Sequence, residues 1–288
     1  MKKLGVFLML CTFVGLGIGC PRSTTNPDFA SFEAVGPLQD EQTFGDYTVR
    51  TYELNESSFE ILKKGVRVYA DSGHRFEIGS IYETDKPQGQ AGTNGTDITG
   101  DGHPNLVVSE WTGGAHCCFL FHVFQLGPHF RHIQTINAAH SDLADFENID
   151  EEPDLEFLMA DWTFAYWKAS FAASPAPGVI LKYDGEKYAL ACDLMRKPGL
   201  SPQDLTQLAS DIKSWQGWED YLPPSYLWGE MLDLIYMGNI LQAWELFDRS
   251  WPEEIGGKEE FLKEFKVQLQ ESPFWESLQE LNKESNRE

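Results

Sequence analysis

A unit used twice limits most tightly what this chain can fold into. Asp97–Thr112 (DITGDGHPNLVVSEWT) and Asn148–Thr163 (NIDEEPDLEFLMADWT) align without a gap at a shift of 51 residues. Asp97 falls on Asn148, Thr99 on Asp150, Asp101 on Glu152 and Asn105 on Glu156. Beyond them Leu106 falls on Phe157, Glu110 on Asp161, Trp111 on Trp162 and Thr112 on Thr163. In both copies oxygen-bearing side chains at alternate positions run into an apolar stretch, the pattern of a loop feeding a strand. Self-similarity at a fixed offset implies one supersecondary unit built twice.

The surroundings of the repeat predict more strands. YTVRTYEL alternates from Tyr47, FEILKKGVRVYA makes two runs about a Lys-Lys-Gly turn, and CCFLFHVFQLGPHFRHIQTI makes two about Gly127-Pro128. GVILKYDGEKYALAC turns at Asp184-Gly185. After Pro198 the period changes. Ser201-Pro202-Gln203-Asp204 reads as an N-cap, a first-turn proline and a first-turn acid. Trp228, Met231, Leu232 and Ile235 share one helical face, as do Phe261, Phe265 and Leu269, and Gly238-Asn239 separates two helices. The expectation is an α+β chain: a mainly antiparallel β domain over 44–197, holding units 97–112 and 148–163, then a small α-helical domain over 198–288. The helical part faintly resembles one tetratricopeptide hairpin, and a single copy has no neighbour to bury its face.

The first loop has the makings of a cation cradle. Calcium takes six to eight hard oxygen ligands, alternating side chains in a tight loop supply them, and glycine permits the bend. The run Asp-x-Thr-Gly-Asp-Gly-x-x-Asn-Leu-Val-Val resembles the calcium loop of FG-GAP/VCBS-type repeats, found in integrin-like β-propellers and many exported bacterial proteins. The resemblance implies side-chain ligands at Asp97, Thr99, Asp101 and Asn105 and the backbone carbonyl of His103. It also marks a second, degenerate loop at Asn148, Asp150, Glu152, Asp154 and Glu156, with Pro153 where the bend wants glycine. Thr99 and Asn105 stand where the family has carboxylates or amides. The twelfth position of the first loop, where an EF-hand places a bidentate Glu, is Val108. Affinity should therefore be modest, on the order of 10⁻⁴ to 10⁻³ M. Two clear units fall short of the four or more blades that close a propeller.

The chain opens with Lys2, Lys3, an apolar stretch from Leu4 to Ile18 and Gly19-Cys20. This reads as an export signal over 1–19, too short to span a membrane. Gly-Ile-Gly-Cys also resembles a bacterial lipobox, although Gly17 stands where Leu or Val is usual. That resemblance implies cleavage before Cys20 and a lipid anchor on it, and residues 20–43 read as a flexible tether. The expected location is a bacterial membrane reached by export, the outer membrane or cell surface before the inner one. The formal net charge is −23 and becomes more negative once Lys2 and Lys3 leave with the signal. Such a surface repels nucleic acid, so the expected partners are the bilayer, through Cys20, and another envelope protein.

Cys117, Cys118 and Cys192 are left in a disulfide-permissive setting. Cys117 and Cys118 can pair with each other, or one of them with Cys192. A rival reading uses GGAHCCFLFH: on a strand His116, Cys118 and His122 share a face, and imidazoles with a thiolate suit a transition metal. No nucleophile elbow, His-Glu-x-x-His or phosphate-cradling loop is present. The sequence thus points to a non-enzymatic, calcium-stabilised binding or scaffolding lipoprotein of the cell envelope. The alternative is an envelope enzyme or metal-handling protein using His116, Cys118 and His122.

Overall fold

The computed structural model describes residues 32–79, 93–115, 117–219 and 222–283. The stretch read as an export signal, Cys20 and His116 lie outside the described residues. Among the described residues twelve strands form three four-stranded antiparallel meanders. The first contains β1 (Leu38–Phe44), β2 (Tyr47–Glu53), β3 (Ser57–Lys63) and β4 (Val66–Gly73). The second contains β5 (Arg75–Ile78), β6 (Asn105–Trp111), β7 (Phe119–Gln125) and β8 (Arg131–Ala139). The third contains β9 (Asp145–Glu147), β10 (Glu156–Ala160), β11 (Gly178–Tyr183) and β12 (Tyr188–Leu190). The described residues after them hold α1 (Cys192–Met195), α2 (Pro202–Lys213), α3 (Ser225–Tyr236), α4 (Ile240–Ser250), α5 (Lys258–Gln270) and α6 (Trp275–Leu281). The class is α+β, and among the described residues no sheet closes into a barrel or propeller.

Local chemistry accounts for many of the joints. Lys64 and Gly65 both have positive φ between β3 and β4, the two-residue turn whose twist matches that of paired strands. Ser201 Oγ accepts from Asp204 N at 3.1 Å and caps α2, with Pro202 in the first turn. Gly238, at φ +85°, ends α3 before α4 begins.

The sheets stack face to face, with the β5–β8 sheet in the middle. That placement explains the unbroken apolar run of β6, since a strand buried on both faces loses its alternation. Leu106 and Val108 join Phe124, Val49, Phe59 and Ile61 on the side of the first sheet. Val107 joins Phe121, Val123, Phe157 and Leu181 on the side of the third. Phe59 meets Phe124 at 6.1 Å between centroids, and Phe121 meets Phe157 at 4.9 Å.

Two expectations need correction. The helices do not form a core of their own behind a boundary at 198. Trp228, Met231, Ile235, Phe261 and Phe265 belong to the same apolar cluster as Phe157 and Val179, so the third sheet and the helices share one interior. Helical stripes cannot announce which surface they cover. The stretch read as a tether to residue 43 holds β1, which pairs with β2 from Leu38↔Tyr52 to Phe44↔Tyr47. Its residues LQDEQTF are mostly exposed on an edge strand, so no buried face writes an alternating pattern into them.

Candidate metal centre

The two repeat units occupy equivalent places. β6 and β10 are each an inner strand of their sheet, paired antiparallel to the strands on either side. Each begins at the last loop position, Asn105 or Glu156. In the first loop Asn105 Oδ1 accepts from Ile98 N at 2.9 Å, and in the second Glu156 Oε2 accepts from Ile149 N at 2.8 Å. Gly100 has φ +71° and Glu151, its counterpart, +66°. The bend at that position is therefore kept without glycine. Gly102 has φ +85°, and its counterpart Pro153 leaves that second left-handed step out.

In the first loop, Asp97 Oδ1 accepts from Thr99 N at 3.2 Å, and Asp97 Oδ2 accepts from Gly102 N at 2.7 Å. Asp101 Oδ1 accepts from His103 N at 2.9 Å. Thr99 Oγ1 lies 3.3 Å from Asp97 Oδ1 and 3.4 Å from Asn105 Oδ1. Thr99 and Asn105 are buried, Asp97 is half-buried and Asp101 is exposed. Among the described residues no Lys or Arg pairs with Asp97 or Asp101.

The second loop is answered from inside the chain. Lys182 Nζ on β11 lies 2.5 Å from Asp150 Oδ2, 3.4 Å from Asp154 Oδ2 and 3.3 Å from Glu156 Oε1. The hydrogen bond from Lys182 holds Asp150 below the usual carboxylate range, and its bond to Asp150 raises Lys182. Asn148 accepts from Glu151 N and donates to Glu152 O, and the Glu152 side chain is exposed. The register Phe157↔Leu181, continued one step, sets Lys182 opposite Glu156. The same register in the first unit sets Gln125 opposite Asn105. Where the second unit has an ammonium, the first has a neutral amide, and its Oε1 accepts from Arg131 Nε at 3.1 Å. The loops touch: Leu155 N donates to Ile98 O at 2.9 Å, and a methyl on Gly100 would stand 3.3 Å from Asp154 Cβ.

Sequence reasoning aligned the acids Glu110 and Asp161 and gave them no role. Both are buried, at 2% and 3% exposure. Glu110 Oε2 lies 3.3 Å from His122 Nε2, His122 Nδ1 lies 3.0 Å from Thr135 Oγ1, and Thr135 Oγ1 lies 3.1 Å from His132 Nε2. Burial, and then the neighbouring His122, lower the His132 pKa to about 4. Asp161 accepts from Thr163 N, Thr163 Oγ1, Tyr236 OH and Ser272 Oγ, at 2.5 to 2.8 Å. Burial, and then the charge of Asp161, raise the Tyr236 phenol, which stays a donor. The signal that could have found this role is an acid kept at one repeat position beside an apolar strand.

Of the rival row, Cys118 and His122 lie among the described residues. Cys118 is disulfide-bonded to Cys117, so its sulfur offers no thiolate, and Cys192 is free. Both His122 nitrogens face partners, Glu110 and Thr135. Among the described residues no group of three His, Cys, Asp or Glu side chains is arranged for a metal ion. The first loop offers two carboxylates, the amide oxygen of Asn105, the Thr99 hydroxyl and backbone carbonyls. This donor set is all hard oxygen, which suits calcium better than zinc or copper, with few charges to tighten it. No helix among the described residues is long and apolar enough to cross a membrane. No protein family, curated protein or solved structure matches the chain.

Proposed function

We propose that this chain is a non-enzymatic, calcium-stabilised binding or scaffolding protein of the bacterial cell envelope, held to its membrane by lipid on Cys20. One observation carries the metal half of this reading. Of two adjacent loops built alike, the second has Lys182 among its carboxylates, and the first has Asp97 and Asp101 with no Lys or Arg paired to them among the described residues. Asp97, Thr99, Asp101 and Asn105 would hold the ion, with the His103 carbonyl, as in the FG-GAP/VCBS-type loops that this one resembles. Calcium there would fix the approach to β6, the strand on which the middle sheet is built. The acidic surface leaves nucleic acid out and favours a protein partner in the envelope.

Thermal unfolding with and without calcium tests the metal. An ion that binds only the folded chain stabilises it by on the order of 1.4 kcal/mol at about 10 mM for a millimolar constant. The shift in Tm is then about 2–4 °C. Magnesium should give much less, because it dehydrates reluctantly and needs a stricter octahedron. Asp101→Ala should abolish the response, and a variant that still responds like wild type would refute the site. Membrane fractionation tests the anchor. Cys20→Ser should leave an exported protein in the soluble fraction, since lipid on that residue is the proposed hold on the bilayer. A Cys20→Ser chain found wholly with membranes would refute the anchor.

A further inference from the structure

We infer that the two loops of this chain take two different cations: a divalent ion in the first, and in the second the chain's own Lys182 ammonium, which closes that loop to metal. The first half rests on the calcium reading above; the second stands on its own geometry. Lys182 Nζ is within 3.4 Å of an oxygen of Asp150, Asp154 and Glu156, three of the five positions at which the second loop would ligate. Glu156 is fully buried, and its Oε1 accepts no aligned hydrogen bond; the ammonium 3.3 Å away is its counter-charge. An ordinary surface ion pair does not look like this. It joins two exposed side chains, whereas here one cation stands among three acids of a single loop, one of them removed from water.

The position of the lysine follows from the repeat. Lys182 stands opposite the last loop residue by the strand register, and Gln125 stands opposite the equivalent residue of the first unit. The two loops therefore differ as a matched set. One has fewer acids and a neutral amide across the strand, and the other has more acids and a lysine. A lysine-filled loop needs no ion from solution, so the second unit holds its shape whatever the calcium level, and the chain takes one calcium instead of two.

Removing the lysine should create the missing site. The experiment measures calcium binding and thermal unfolding of the full chain as wild type, Asp101→Ala, Lys182→Met and the double variant. Asp101→Ala alone should ignore calcium. In the double variant, calcium and not magnesium should restore one bound ion per chain and a Tm rise of about 2–4 °C or more. A folded double variant that ignores calcium overturns the inference. If Lys182→Met unfolds without calcium, folding on its addition supports the inference, and a chain still unfolded at saturating calcium counts against it. Lys182→Met/Glu156→Gln, made in the Asp101→Ala background, removes the buried carboxylate with the lysine and should fold without a calcium response. A response as large as that of Lys182→Met in the same background would place the new ion elsewhere and overturn the inference. Failure of the first-loop reading shows separately, as a wild type indifferent to calcium.

Discussion

Glu110 and Asp161 hold the same position in two copies of one unit, and each is a buried acid, yet their surroundings differ. Glu110 faces His122 on the adjacent strand, inside its own sheet. Asp161 turns to Tyr236 and Ser272, delivered by the helical part of the chain. The comparison teaches that the repeat supplies a charge at the end of a strand, and whatever packs there supplies the answer. In the middle sheet the answer includes a histidine of the next strand. In the last sheet the answer fastens the helices, and the acid becomes a joint between two kinds of structure.

The largest effect should come from breaking that joint. Asp161→Ala removes four accepted hydrogen bonds and takes the shared buried acceptor from Tyr236 OH and Ser272 Oγ, leaving the two hydroxyls only the 3.2 Å contact with each other and the bond from Phe274 N to Ser272 Oγ. A loss of about 3–5 kcal/mol is expected by urea unfolding. Glu110→Gln keeps the shape and one polar contact and should lose about 1 kcal/mol. Equal losses would mean that the two acids do the same work.

Acid should sharpen the comparison from the other side. His132 titrates near 4 in the folded chain and near 6.5 when unfolded. Between those values the unfolded chain binds more protons, so the stability present above pH 6.5 drains away as pH falls toward 4. The expected loss is on the order of 2–3 kcal/mol. It should vanish from the difference between pH 7 and pH 4.5 in His132→Gln, while the joint at Asp161 is untouched. A wild-type chain with the same acid sensitivity as His132→Gln would refute this assignment.

The smallest test swaps the loops' bends. Glu151 adopts a left-handed conformation that glycine takes without strain. Glu151→Gly should therefore stabilise the chain by roughly 1 kcal/mol. Gly100→Ala should cost about as much, with its new methyl tight against Asp154. Thermal melts of the two variants should move in opposite directions.

Much of this was legible because it is written locally. The Lys64-Gly65 and Asp184-Gly185 turns, the Ser201 cap, the stripes of α3 and α5 and the loop-plus-strand unit each need only a few neighbouring residues. The partners of the buried acids are another matter. Tyr236 and Ser272 lie 75 and 111 residues from Asp161, and no pattern around any of the three names the others. Lys182 reads as one polar residue in a strand until the register places it across from Glu156. The first loop was found by its glycines and alternation, whereas the absence of a paired Lys or Arg among the described residues stands out only beside its twin.

β1 has one more consequence. Its neighbour β2 buries Tyr47, Val49 and Thr51 in alternation, and its backbone groups would be open to another molecule if β1 were missing. β1 takes up those groups and turns Asp40 and Glu41 to solvent, with Glu41 paired to Arg50. A rim of negative charge discourages a second chain from adding its own strand there, the route by which open sheets grow into aggregates. The least strand-like sequence in the β region is thus what keeps the first sheet of this protein to itself.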